Sequence, residues 1–164
     1  MATKKELPVM IAEDEPMIRM QYETVLKEYF SNIILAEDGE QAWEIFRSVK
    51  DIPVLVTDID MPRKDGIWLM KQVEKVNPAT SIVIVSSLTS VSIHSAKETV
   101  AYLPKPVGKM FLALAVFRAY DLYPQTRWLN TLKDELKKES RDEKRIRSIL
   151  ADNPWSPSET APDS

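Results

Sequence analysis

Apolar residues in this chain gather into short runs, and between the runs they recur at helical spacing. Leu7–Ala12 is a first run and reads as a buried strand. Pro16 follows it and suits the first turn of a helix, where a missing N–H costs nothing. Ile18, Tyr22, Val25, Leu26 and Tyr29 then form the stripe of an amphipathic helix. Asn32–Ala36 is a second strand, and Asp38-Gly39 opens a helix with Ala42, Ile45 and Phe46 on one face. Pro53–Thr57 is a third strand, stopped by Asp58. After a loop holding Pro62 and Gly66, a helix turns Ile67, Met70 and Val73 inward and ends near Asn77-Pro78. Ile82–Ser86 and Val100–Leu103 are a fourth and a fifth strand, with a polar helix over Thr89–Thr99 between them. An apolar helix runs from Gly108 to about Tyr120.

Strands that alternate with helices in this way predict a parallel sheet covered on both faces, since parallel neighbours need crossover connections. The near-continuous Val/Ile/Leu strands agree, because burial on both faces removes alternation. From Tyr123 the character changes. Pro124 is expected to break the chain, and Gln125 to Leu150 reads as one long helix. Trp128, Leu129, Leu132 and Leu136 form its apolar strip, which Glu139 to Glu143 interrupts and Ile146, Ile149 and Leu150 resume. The expected organisation is a lead over 1–6, a domain over 7–122, a helical extension over 123–150 and a disordered polar tail over 151–164.

Composition then removes several classes of function. The 164 residues carry 22 Lys+Arg against 25 Asp+Glu, a net charge of −3, which argues against a general nucleic-acid binder. Residues after Leu150 offer no helices for a helix-turn-helix reader, so direct nucleic-acid binding is not expected. No apolar run is long enough to span a bilayer, and the N-terminus does not read as a signal peptide. The absence of Cys excludes disulfides and thiol chemistry and is consistent with a cytoplasmic setting. Gly39, Gly66 and Gly108 lie too far apart for a dinucleotide or Walker loop. His94 is the only histidine, which excludes a multi-His metal site, and it reads as an ordinary residue on a polar helix.

What ends each strand is more informative. Glu13 and Asp14 end the first and Asp58 the third, while Ser86 ends the fourth and Lys105 follows the fifth. In an open parallel sheet all of these sit on the carboxyl edge, where ligands bind. Converging carboxylates resist full ionisation unless a cation joins them, and an oxygen-only set selects Mg²⁺ first and Mn²⁺ second. A Lys and a hydroxyl at the same place supply the cation and the donor that a phosphoryl group needs. A metal-held carboxylate facing them can act as nucleophile. The chemistry that follows is phosphoryl transfer onto an Asp.

The ordered set Glu13-Asp14-Glu15, Thr57-Asp58-Ile59-Asp60-Met61-Pro62 with Asp65-Gly66, Ser86, and Tyr102-Leu103-Pro104-Lys105-Pro106 resembles the receiver (CheY-like) domain of two-component response regulators over about residues 7–122. The resemblance implies a flavodoxin-like, doubly wound α/β fold with a five-stranded parallel sheet of order 2-1-3-4-5. It implies that Asp58 is the phosphoacceptor, Asp14 a direct Mg²⁺ ligand, Glu13 an acid holding the ion through water, and Asp60 a ligand through its backbone carbonyl. Ser86 and Lys105 would bind the phosphoryl group, Tyr102 would turn inward when Ser86 is drawn to it, and the Lys105-Pro106 bond would be cis. The implied partner is a sensor histidine kinase or His-phosphotransfer protein, with no enzyme activity beyond self-phosphorylation from a phosphodonor and autodephosphorylation.

Two departures from the family pattern, Ser87 after the switch hydroxyl and Glu98-Thr99 before Tyr102, fall where the family builds its output surface. Asp60 and Leu88 would sit beside the phosphoryl group and influence its lifetime. Glu15 reads as a first-turn helix acid, Arg63 and Lys64 as solvated loop residues with attraction of a phosphodonor as the alternative, and Trp43 and Trp68 as packing aromatics. Two other functions compete. One is a scaffold or homodimer driven by the 125–150 helix, with phosphorylation as modulator. The other is a haloacid-dehalogenase-like phosphatase, suggested by Asp58-Ile59-Asp60, although that family's motif ends the first strand of its core.

Overall fold

The computed structural model describes residues 3–87, 99–138 and 142–154. Its strands are β1 (Val9–Ala12), β2 (Ile33–Ala36), β3 (Val54–Thr57), β4 (Ser81–Ser86) and β5 (Thr99–Pro104). Its helices are α1 (Pro16–Lys27), α2 (Gly39–Ser48), α3 (Gly66–Val76), α4 (Lys109–Lys137) and α5 (Glu143–Ala151). The strands pair in parallel in the order β2-β1-β3-β4-β5, the flavodoxin-like topology that the resemblance implies.

Side-chain alternation sorts each strand between two faces. Val9 and Ile11 point to one, with Val54, Val56, Val83 and Val85, and are covered by Tyr22, Val25 and Leu26 of α1 and Leu112, Val116 and Ala119 of α4. Met10, Ala12 and Leu55 point to the other, under Ala42 and Phe46 of α2 and Leu69 and Val73 of α3. Ile59, Met70, Ile82 and Ile84 make a third, smaller cluster. Burying one such side chain contributes about 1.5–3 kcal/mol, against a few tenths for most exposed-helix pairings, so packing rather than propensity seats these helices.

Caps agree with the boundaries. Asp38 caps α2 by accepting from Gln41 N, and Asp65 caps α3 by accepting from Trp68 N. Pro16 occupies the first turn of α1, with Glu15 at the N-cap position rather than inside the turn as expected. Trp43 and Trp68 are partly buried, edge to face with ring centroids 6.4 Å apart, as packing aromatics.

The chain forms two compact units, residues 1–123 and 124–164. In the first, α4 buries Tyr120 and Tyr123, and the Tyr123 hydroxyl donates to Asp51 Oδ1 at 3.1 Å. In the second, Trp128 Nε1 donates to the Ile149 carbonyl at 2.6 Å, and Ile149 is buried. Two expectations fail here. Pro124 does not break the chain but lies inside α4. A proline interrupts one i→i−4 bond, and the buried apolar face before it together with strong helix formers after it outweighs that loss. The single helix expected over 125–150 is instead the end of α4 and a separate α5, which Asp142 caps by accepting from Lys144 N and Arg145 N. Residues 89–98 of the expected helix over 89–99, His94, Leu88, Glu98 and residues 155–164 of the expected tail lie outside the described residues, while Thr99, assigned to that helix, opens β5. Ala151, assigned to that tail, closes α5.

Two glycines mark where loops approach a neighbouring backbone. A Cβ on Gly66 would be driven into the Asp58 carbonyl oxygen, and one on Gly39 into the Lys64 carbonyl oxygen. Gly66→Ala and Gly39→Ala are each expected to destabilise the fold by about 2–4 kcal/mol, whereas Met110→Ala, on an exposed position, should stay within about 0.5 kcal/mol. Urea midpoints of the three variants check this.

Candidate functional site

Parallel register delivers the acids to one place. Ala12 is aligned with Ala36 on one side and Thr57 on the other, so the next residues along β1 and β3 are Glu13 and Asp58. The ladder continues one step further, with Glu13 N donating to Ala36 O at 3.1 Å and Asp58 N to Ala12 O at 3.0 Å. On the far side, Lys105 N donates to Ser86 O at 3.0 Å, which sets the end of β5 beside the end of β4. The Lys105-Pro106 peptide is cis.

Glu13, Asp14 and Asp58 present carboxylate oxygens that all lie within 4.8 Å of one another. Glu13 and Asp58 are buried and Asp14 is half-buried. The Lys105 side chain reaches in among them. Its Nζ stands 2.5 Å from Asp58 Oδ2, 2.8 Å from Glu13 Oε2 and 3.1 Å from Glu13 Oε1. Asp58 Oδ1 accepts from the backbone N–H of Ile59 at 2.5 Å and of Asp60 at 3.2 Å, so this carboxylate is held at both oxygens. Ser86 is buried at the end of β4, and Tyr102 is half-buried on β5 against the Ile82/Ile84 cluster. Asp60 is exposed on the loop after Asp58.

Burial and charge shift these groups in opposite senses. Burial pushes the Glu13 carboxyl above its ordinary range, and the hydrogen bond and charge of Lys105 offset this only in part. Burial pulls the Lys105 amine down, but hydrogen bonds to Asp58 and Glu13 outweigh it and leave the amine above its ordinary value. Tyr22, which the sequence pattern assigns only to the core stripe, lies in the field of the same groups, and burial pushes its phenol up to about 12. Lys105 therefore remains a cation beside the acids across the whole neutral range.

A donor set of carboxylate oxygens without nitrogen or sulfur fits a hard divalent ion such as Mg²⁺ or Mn²⁺. Among the described residues the pocket's acids outnumber the Lys105 ammonium, which leaves room for further positive charge. Arg19 is a contributor the sequence pattern did not single out. Its Nη1 donates to the Glu13 carbonyl at 2.5 Å and the Asp14 carbonyl at 3.3 Å, bracing the turn that aims both side chains. A cation one turn into a helix that follows an acid pair was the available signal. Arg63 is exposed on its loop as expected, but its guanidinium is also engaged by Glu37 and Asp38, which the sequence pattern did not show. Lys64 does lie exposed, over the Trp68 ring.

The chain is similar to known proteins. The family model described as the response regulator receiver domain matches residues 9–116. The transcriptional regulatory protein PdtaR of Mycobacterium tuberculosis is 33% identical over 101 residues, covering 60% of this chain and 49% of its own. Protein-glutamate methylesterase/protein-glutamine glutaminase 1 of Geobacter sulfurreducens is 34% identical over 125 residues, covering 70% of this chain and 33% of its own. The chain thus spans half or less of the length of these curated relatives. Among solved structures, a two component transcriptional regulator AraC of Clostridium phytofermentans is 27% identical with a TM-score of 0.61, covering 74% of this chain and 97% of its own. A CheY-like receiver domain protein of Methanospirillum hungatei shares the fold with a TM-score of 0.66 at 18% identity, covering 75% of this chain and 98% of its own. Since the matched stretch takes in most of the chain and holds the acid cluster, Ser86 and Lys105, the chain belongs to the response regulator receiver family.

Proposed function

We propose that the chain is the phosphoacceptor of a two-component phosphorelay, with Asp58 receiving phosphate from a phosphohistidine on a histidine kinase or phosphotransfer protein. The observation that carries this reading is the meeting of Glu13, Asp14, Asp58 and Lys105 at one end of the sheet. Asp14, Asp58 and the Asp60 carbonyl would hold Mg²⁺, with Glu13 acting through water. When bound, the ion supplies charge neutralisation for the transferring phosphoryl group.

In the transfer, an Asp58 carboxylate oxygen forms a bond to phosphorus while the phosphorus–nitrogen bond of the donor breaks and its electron pair returns to the imidazole. The product is an acyl phosphate. The Ile59 and Asp60 amides keep the carboxylate in one orientation, and Lys105 passes from the free carboxylate to a phosphoryl oxygen. The Ser86 hydroxyl donates to a second phosphoryl oxygen, and Tyr102 follows it inward, which biases the surface around β4 and β5 toward a partner-binding state. Asp58 ends the third strand in chain order, not the first, which counts against the phosphatase alternative.

In the presence of Mg²⁺, an acyl phosphate or amidophosphate donor should add one phosphate, read by intact mass, and Asp58→Asn should abolish the addition. Lys105→Ala should slow it by on the order of 100-fold, the usual effect of removing one preorganised charge donor. An Asp58→Asn protein phosphorylated as fast as wild type would sink the assignment.

The Glu13 carboxyl gives a pH dependence. Its folded value lies above the ordinary value of 4.5, so in metal-free protein its stabilising contribution is full below 4.5 and is lost as pH rises through the folded value. Ion binding needs the deprotonated form, so Mg²⁺ affinity should climb over that same interval. Glu13→Gln should flatten both profiles, and unfolding midpoints and Mg²⁺ titrations between pH 4.5 and 7.5 check them.

A further inference from the structure

We infer that Arg63 is a positioning residue for the phosphoacceptor loop, bolting residues 59–65 to the corner between β2 and α2 and thereby fixing the Asp60 carbonyl and the affinity for Mg²⁺. This inference rests on the reading of the site given above and adds a residue to it. Arg63 is one of two described non-glycine residues with a left-handed backbone, at φ 62. A bulky residue holds that conformation only where its surroundings over-determine it. The surroundings are two carboxylates. Arg63 Nη2 lies 3.1 Å from Glu37 Oε1 and also meets Asp38 Oδ2, whose side chain is fully buried while that of Arg63 is 52% exposed.

Asp38 divides its two oxygens between two tasks. Oδ1 accepts from Gln41 N at 2.8 Å and caps α2, and Oδ2 is left for Arg63. A buried carboxylate oxygen of this kind needs a charge partner, and the described residues supply it from the loop that carries Asp60. A second tie lies beside it, since Gly39 N donates to the Lys64 carbonyl at 3.0 Å, at a corner where a Cβ on Gly39 would not fit. At the other end of the loop, Gly66 N donates to the Ile59 carbonyl at 2.9 Å. The segment that presents Asp60 is thus closed at its base by Gly66 and pinned at its tip by Arg63 and Lys64. Ion affinity depends on ligand placement within fractions of an ångström, and outer groups that hold ligands change it by about 10–100-fold.

The test uses the full chain and three variants that separate the backbone from the charge. Arg63→Gly keeps the left-handed backbone and removes the guanidinium. Arg63→Lys keeps a cation on a long stem. Asp38→Asn keeps an acceptor for the α2 cap and removes the charge. Mg²⁺ binding is read by calorimetry without any phosphodonor, beside the unfolding midpoint of the metal-free proteins. Arg63→Gly and Asp38→Asn are expected to weaken Mg²⁺ binding about tenfold, with Arg63→Lys nearer to wild type. Equal affinity in wild type, Arg63→Gly and Asp38→Asn would overturn the inference even if stability fell, because a merely structural pair would lower the midpoint alone. A wild-type protein that takes no phosphate and binds no Mg²⁺ would overturn the underlying reading, and this inference with it.

Discussion

The ammonium of Lys105 stands between the carboxylates of Asp58 and Glu13, and the arrangement of the site depends on that pairing. Two buried anions this close would repel strongly in a medium of low dielectric. A single buried cation lets them coexist. It also sets the terms for anything that enters, because a newcomer must compensate the acids at least as well as the amine does. A hard divalent cation has the charge to do so.

Such a pairing needs a frame that does not yield. The strands that hold it are buried on both faces, and their register is fixed by side chains that interlock above and below the sheet. A shift of one residue would turn Val9 and Ile11 to the wrong layer and pull Glu13 away from Asp58. The loops are held as firmly as the strands. Gly66 and Gly39 are tight backbone approaches, and Arg19 and Arg63 tie loop carbonyls and helix corners on either side of the acids. The chemistry sits on loops, yet each loop is anchored to an element with a large apolar face.

Much of this was legible in the amino-acid pattern, for physical reasons. Strands buried on both faces have to be apolar throughout, so Val9–Ala12, Val54–Thr57 and Ser81–Ser86 stand out from any polar background. Polar residues that stop such runs lie on the sheet's edge by necessity, and this marked Glu13, Asp58 and Ser86. What stayed hidden depends on tertiary contact. The passage of α4 through Pro124 contradicts the local rule, because burial upstream and helix formers downstream outweigh one lost hydrogen bond. The start of α5 turned on Asp142, a capping residue placed within a run of charges that otherwise reads as a continuous exposed helix. The pairing of Arg63 was hidden because its partners, Glu37 and Asp38, lie a whole strand and helix earlier in the chain.

The layer that joins α1 to α4 has a consequence for synthesis. Val9, Leu26 and Phe30 from the start of the chain share one cluster with Leu112, Val116 and Tyr120. Until Tyr120 has emerged, that side of the sheet has only α1 to cover it and lacks the whole contribution of α4, so Val83 and Val85 and their neighbours stay incompletely packed. Elongation at about 5–20 residues per second leaves that side short of cover for several seconds. Residues 124–164, which form a separate unit, are made after the last core residue of the first unit and keep the chain tethered to the ribosome while the sheet closes. In that period the second unit serves the first simply by coming later.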